Sequence, residues 1–285
     1  METLKLNAYA KINLGLDVIG RLPNGYHEVK MIMQSVGICD ELTFEKQPSG
    51  ITVTTDSGEL PTDENNLIYR AAKLLLDTCA VKEGVRIHLT KRIPIAAGMA
   101  GGSTDAAATL KAVNQLFRFG KTKEELMELG VKIGADVPYC ILGGTALAEG
   151  IGERLTPLPP MPDCHLLVAK PDINVSTKYV YTTLDAAPIL FHPDIDGMTA
   201  AIFAGDLTGI TAKLGNVLET VTVPAHPIIS KIKEKFLELG SDGVLMSGSG
   251  PTVFGIFSDK TAAEKAYASM KQSSLAGQVF LTIPV

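Results

Sequence analysis

Fifteen residues from Pro94 to Ala108, P-I-A-A-G-M-A-G-G-S-T-D-A-A-A, join a strand-like run to a helix-forming run through three glycines, a serine and a threonine. Those residue types at that spacing make an anion cradle. Gly98, Gly101 and Gly102 allow φ > 0 and close backbone approach, so that successive N–H groups form a concave nest for phosphate oxygens. The helix that follows adds unsatisfied first-turn N–H groups and the positive end of its macrodipole. A plain strand-to-helix connection, its glycines only relieving crowding, fits the stretch equally well when it is taken alone.

The chemistry that such a cradle serves is narrowed by what is missing. No G-x-x-x-x-G-K-[ST] occurs and no lysine follows the glycines, so this is not a Walker A loop. The G-x-G-x-x-G spacing of a dinucleotide-binding turn is also absent, which removes the main support for a nicotinamide dehydrogenase. Ser103 and Thr104 put hydroxyls at the helix start, where they suit a phosphate oxygen, a Mg²⁺ ion or the capping of the helix. No carboxylate cluster announces a metal site.

The rest of the chain bounds the setting. Its 285 residues, 46% apolar and 20% charged, suit one large domain or two ordinary ones. No apolar segment follows a basic start and no run of about 18 apolar residues occurs, so the expectation is a cytoplasmic protein without a membrane span. Cys39, Cys79, Cys140 and Cys164 never form C-x-x-C and read as reduced, mostly buried side chains. A net charge of −5 gives no global attraction for nucleic acid or anionic membrane, so a phosphate ligand must be captured by local geometry.

The elements that position the cradle are read from periodicity. Residues 11–19, 29–36, 41–45 and 51–55 are β-rich and separated by turn formers. A helix is expected over 66–79, with Ile68, Ala71, Leu75 and Cys79 on one face and Asp63 or Asn65 as its cap. Residues 85–91 alternate, which makes His88 an ordinary strand-surface histidine. Ala106, Leu110, Val113 and Phe117 form a stripe that anchors the cradle helix in a core. A further helix spans 123–133 and ends at Gly134, after which Ala135-Asp136-Val137-Pro138 reads as a non-helical connection. Residues 156–162 hold four prolines and mark an interdomain crossing, placing domains at 1–158 and 159–285. The second half, with a strand at 166–169, a helix at 227–239, β runs around Ser247–Pro251, a helix at 262–271 and a last strand at 279–283, reads as helices on a small antiparallel sheet.

Three separated segments together resemble the GHMP kinases: Ala8-Tyr9-Ala10-Lys11-Ile12-Asn13-Leu14, the Pro94 to Ala108 stretch, and Ser247-Gly248-Ser249-Gly250-Pro251-Thr252-Val253-Phe254. The resemblance covers nearly the full length. It implies an α+β, two-domain fold: an N-terminal domain like the second domain of ribosomal protein S5, and a ferredoxin-like C-terminal domain. Within the family, Asn24-Gly25-Tyr26-His27-Glu28, Gly134-Ala135-Asp136-Val137-Pro138 and Ala148-Glu149-Gly150-Ile151-Gly152-Glu153 are similar to members that phosphorylate a hydroxyl of a cytidine diphosphate-linked polyol. Met99 and Ala100 depart from the pattern, standing where many relatives carry Leu and Gly.

What the resemblance implies for single residues follows. ATP, with Mg²⁺, occupies Pro94, Ala96, Ala97, Gly98, Met99, Ala100, Gly101, Gly102, Ser103 and Thr104, with Asn66 and Lys91 near the adenine. Asp136 is the base that takes the hydroxyl proton and stands beside Lys11, which orients the hydroxyl and offsets transition-state charge. Tyr26 stacks on the cytosine, His27 bonds its polar edge, and Tyr181 covers the opposite face, with Tyr179 close enough in sequence to compete for that place. Asn13, Ile151 and Thr177 line the substrate side, and the second glycine turn, Gly248 to Gly250, lies against the first. By residue type alone Asp136 is a turn or cap residue, Lys11 a solvated strand end, Asn66 a helix start, Lys91 a surface charge, and Gly248 to Gly250 a hairpin turn. The expected partner is a small molecule acting on a monomer or homodimer. The rivals are a homoserine or mevalonate type of kinase, and a non-catalytic ligand sensor on the same fold.

Overall fold

The structure, a computed structural model, describes residues 3–23, 25–185 and 188–285. Asn24, named above in the Tyr26–His27 turn, lies outside them. In chain order the first elements are β1 (Thr3–Arg21), β2 (His27–Gln47), β3 (Ile51–Thr55), α1 (Leu67–Thr78), β4 (Gly84–Thr90), α2 (Gly101–Phe117), α3 (Lys123–Val131) and α4 (Val137–Leu142). There follow β5 (Thr145–Gly150), β6 (Arg154–Pro157), β7 (His165–Lys170), α5 (Thr177–Leu184), α6 (Ile195–Phe203), α7 (Leu207–Thr211), β8 (Gly215–Asn216) and α8 (Glu219–Ala225). The last are α9 (Ile228–Glu238), β9 (Gly243–Met246), β10 (Val253–Phe257), α10 (Lys260–Gln272) and β11 (Gln278–Thr282). Two compact units result, each assembled from several segments: Met1–Ala10, Ile38–Ile93 and Ala100–Gly143 in one; Lys11–Gly37, Pro94–Met99 and Gly144–Val285 in the other.

The first unit carries the cradle helix. Strand β4 pairs antiparallel with β2, Phe44 opposite Ile87, and parallel with β3, Val53 opposite Ile87. Val85, Ile87 and Leu89 are buried in the same core as Phe44, Ile68, Leu75, Leu110 and Val113. His88 faces outward and shares a 2.9 Å hydrogen bond with Thr54 Oγ1, as a strand-surface histidine should. Helix α1 is capped by Asn66 rather than by Asp63 or Asn65: its Oδ1 accepts from the Ile68 N–H at 2.8 Å. A capping box of Thr122 and Glu125 opens α3. Of the connection expected at 135–138, Ala135 and Asp136 are a non-helical turn, but Val137 and Pro138 already open α4, because Pro138 falls in the helix's first turn, where its missing N–H costs nothing.

The second unit is built on the antiparallel order β11-β7-β10-β9, with Phe254 opposite Val168 and Leu245, and Val168 opposite Phe280. This is the small sheet expected for the second half. Ile229, Ile232 and Phe236 of α9, and Ala263, Ala266 and Met270 of α10, are buried. Residues 156 and 157 belong to β6, an edge partner of β5 where proline is tolerated. Strand β1 begins at Thr3, not at Lys11, and β2 runs unbroken through Gly37. That glycine marks a close approach and not a turn: a Cβ there would meet Thr282 Oγ1 at 2.8 Å. Only Cys164 of the four cysteines is fully buried, the others being half-buried, and all are free thiols.

Candidate active site

The site is assembled from strand β1 outward. Lys11 and Asn13 alternate with Ile12 and Leu14 and are themselves buried, which rules out a solvated strand end for Lys11. The Lys11 ammonium donates to Asn13 Oδ1 at 2.8 Å, and the Asn13 amide reaches Met31 Sδ at 3.3 Å. Burying a lysine costs heavily unless its donors are engaged, so this cation is held in place by design of the strand. The Lys11 N–H bonds to Met99 O at 3.2 Å, tying β1 to the first glycine segment.

Gly98 sits at φ +71°, and a Cβ on it would come within 2.3 Å of Ser247 O. Ser247 Oγ donates to Gly98 O at 3.0 Å, so the two glycine turns pack backbone to backbone, as the resemblance implies. The second turn is also the β9–β10 hairpin, with Val253 opposite Met246. Asn216, which the sequence reading missed, donates to both Met246 O and Gly248 O at 2.8 Å and fixes the turn's shape. Its signal is faint: one asparagine in a two-residue strand.

At the start of α2, Ala100 adopts the left-handed conformation, φ 56°, and no side chain caps the helix. An alanine there costs about 1 kcal/mol that glycine would not, so the departure from the family pattern falls on a strained residue. An uncapped N-terminus on a 17-residue helix leaves its leading N–H groups for an anion, which is the fit a phosphate requires. The Thr104 hydroxyl donates to Tyr9 O at 2.6 Å, spending its proton on the fold.

Lys91 is not a surface charge. Its ammonium lies between the Asp40 carboxylate, to which it donates, and Asp105 Oδ2 at 3.6 Å. A Cβ on Gly101 would meet this ammonium at 2.9 Å, so the cluster backs directly onto the first residue of the cradle helix. Asp40 Oδ1 also accepts from the Arg92 and Ile93 N–H groups at 2.5 and 2.8 Å. Burial pushes the Asp105 carboxyl well above its ordinary range; Lys91 opposes that and the Asp40 charge adds to it. Asp105 Oδ1 is buried with no hydrogen-bond partner among the described residues. Asn66 uses both ends of its amide, accepting from Ile68 N–H and donating to Pro61 O at 2.7 Å.

A second cluster gathers at the start of β2 and along α5. The His27 and Tyr181 rings lie 4.8 Å apart at 34°, and His27 Nε2 is 2.6 Å from Asp185 Oδ1. Tyr181 is thus the tyrosine beside His27, while Tyr179 is 53% exposed. Tyr26 is exposed, Thr177 Oγ1 meets Ser249 Oγ at 2.8 Å, and the Ile151 N–H donates to Glu153 Oε2 at 2.6 Å in the β5–β6 turn. Asp185 was not foreseen, since a lone aspartate after a helix carries no signal until its neighbour is known.

Asp136 stands at the N-cap position of α4, yet its side chain makes no capping bond, so capping does not account for the residue. It belongs to the unit of the cradle helix; Lys11, Asn13, His27 and Tyr181 belong to the other. Among the described residues no group of three or more His, Cys, Asp or Glu is arranged to hold a metal ion. No described helix is long and apolar enough to cross a membrane.

The fold and the two glycine turns define a small-molecule kinase. Residues 66–144 match the family model "GHMP kinases N terminal domain" and residues 198–275 match "GHMP kinases C terminal". The chain is 53% identical over 283 residues to a 4-diphosphocytidyl-2-C-methyl-D-erythritol kinase of Lachnoclostridium phytofermentans, covering 99% of this chain and 97% of that one. It is 50% identical over 272 residues, 95% of each chain, to the protein of that name from Enterococcus faecalis. A crystal structure of 4-(cytidine 5'-diphospho)-2C-methyl-D-erythritol kinase superposes with a TM-score of 0.83 at 33% identity, covering 99% of both chains. A homoserine kinase from Cytophaga hutchinsonii, TM-score 0.78 at 22% identity over 99% of this chain and 94% of that one, shares the fold. The chain belongs to the GHMP kinases and, within them, to the 4-diphosphocytidyl-2-C-methyl-D-erythritol kinases.

Proposed function

We propose that the chain transfers a phosphoryl group from ATP to a hydroxyl of 4-diphosphocytidyl-2-C-methyl-D-erythritol, giving the 2-phosphate, in the non-mevalonate route to isoprenoid precursors. The observation that carries this is identity of about half along nearly the whole chain to kinases of that name. Homoserine and mevalonate kinases match in fold at much lower identity.

The phosphates are assigned to Pro94 and Ala96 to Thr104, where the uncapped helix start and glycine backbone supply N–H donors. Mg²⁺ carried with ATP would offset phosphate charge, with Ser103 and the remaining lone pairs of Thr104 as its protein oxygens. Asn66 and Lys91 are assigned to the adenine side as supports, because their polar atoms already hold the α1 start and the base of α2. Asp136 takes the proton of the attacking hydroxyl, and Lys11, held by Asn13, orients that hydroxyl and stabilises developing charge. Tyr26, His27 and Tyr181 hold the cytosine; Asn13, Ile151 and Thr177 face the rest of the substrate.

The test is ADP release with 4-diphosphocytidyl-2-C-methyl-D-erythritol, against homoserine and mevalonate as controls. Turnover on the cytidine compound alone is the expected result. Turnover no higher than the controls rejects the reading, and binding without turnover supports a ligand sensor on this fold.

A further inference from the structure

Asp185 has no role in the reading above, yet its position is unusual. It is the C-cap of α5, its N–H bonded to Tyr181 O at 3.2 Å, where the helix dipole disfavours a negative charge. The compensation comes from His27, 2.6 Å from Oδ1, and from Arg21, 3.6 Å from Oδ2. The His27 ring is therefore held at two points, its edge by Asp185 and its face by Tyr181. A carboxylate only accepts hydrogen bonds, so the proton on this contact belongs to Nε2. In the neutral ring Nδ1 then carries a lone pair.

We propose that Asp185 is a positioning residue that fixes the orientation and the Nε2–H tautomer of His27, and through them the choice of a 4-amino pyrimidine over a 4-oxo one. This rests on the cytidine reading given above. The exocyclic amine of cytosine donates to an Nδ1 lone pair. Uracil presents a carbonyl oxygen at the same place, and two acceptors facing each other leave both unpaired. Without the Asp185 acceptor the imidazole is free to turn over or exchange tautomer, offering either edge to either base.

The experiment uses the full chain in two arms. With ¹⁵N-histidine labelling, the His27 signals, assigned by their loss in His27→Gln, report the tautomer without any ligand. Nε2–H with unprotonated Nδ1 is expected in the wild type and in Asp185→Glu, and a mixture in Asp185→Ala. In the second arm calorimetry compares cytidine 5′-diphosphate with uridine 5′-diphosphate. The wild type should prefer the cytidine compound by about tenfold or more, and Asp185→Ala should bring that ratio close to one. KM for the cytidine substrate should rise by about tenfold in Asp185→Ala, with kcat changed less than about twofold, since the residue acts on binding and not on transfer. An Nδ1–H tautomer in the wild type, or a cytidine preference unchanged in Asp185→Ala, overturns the proposal. If the wild type shows the Nε2–H signal but binds neither diphosphate, the cytidine reading fails while the hold of Asp185 on His27 stands.

Discussion

The Asp40–Lys91–Asp105 cluster of one unit and the Asp185–His27 pair of the other use the same device, a carboxylate holding a nitrogen donor, at different depths. The three side chains of the first are 0, 9 and 3% exposed; Asp185 and His27 are 29 and 12% exposed. In the first, no water replaces a lost partner, so the arrangement answers to stability before it answers to any ligand. In the second, solvent compensates for much of what a mutation removes, and the loss appears when a ligand must be oriented. The cradle helix is thus fixed from behind by buried charge, whereas the face formed by His27, Tyr181 and Asp185 is shaped by contacts that water can reach.

The strongest way to break this comparison is Lys91→Met. It strands two carboxylates in a site closed to water, and removing one partner of a buried ion pair costs about 3–5 kcal/mol. Urea unfolding should show that loss, and a change below about 1 kcal/mol would show that the cluster behaves like an exposed pair. Next in size is Asp136→Asn, expected to lower kcat about 100-fold or more while ATP affinity and stability stay near wild type. An unchanged kcat removes Asp136 as the base. Tyr181→Ala should raise KM for the cytidine substrate by about 10- to 100-fold, the equivalent of about 1–3 kcal/mol of stacking. The control is Tyr179→Ala, which should change KM little; the reverse result would move the stacking position to Tyr179.

The segments that build the candidate site were legible because each is written in consecutive residues. Of the three glycines only Gly98 takes φ > 0 and approaches other backbone; Gly101 and Gly102 are the first residues of α2, Gly101 close to Lys91 Nζ and Gly102 merely beside Leu67. Lys11 and Asn13 stand in a segment whose alternation places both on one face. The alternation of Leu4, Leu6 and Ala8 carries the same signal for the start of β1 at Thr3. What stayed hidden depends on contacts distant in sequence. Asp105 meets Lys91 and Asp40 only after α2 has packed, and Asp185 meets His27 across 158 positions of chain. Gly37 looked like a break between strands because nothing local shows that Thr282 would pack against it. Asn66 illustrates a third case, where two roles fit one residue type and only the hydrogen bonds to Ile68 and Pro61 show how its amide is used.

The smallest expected effect sharpens the comparison most, because it separates burial from pairing. Asp105 keeps a carboxyl raised well above the ordinary range chiefly because it is buried, with Lys91 pulling the other way and Asp40 adding to the rise. A folded value above the unfolded one, about 3.9, means that the folded chain holds this proton more tightly than the unfolded chain does. Its contribution to stability is therefore complete below the unfolded value and is lost as pH rises through the folded value. Asp105→Asn removes the titration and keeps the shape. The variant should gain on the wild type as pH rises, by about 1 kcal/mol between pH 5 and pH 8, since each pH unit over which only the folded chain keeps the proton is worth about 1.4 kcal/mol. Urea unfolding at the two pH values measures it. A difference that is flat with pH would mean that Lys91 keeps Asp105 ionised throughout, and that pairing outweighs burial in this cluster.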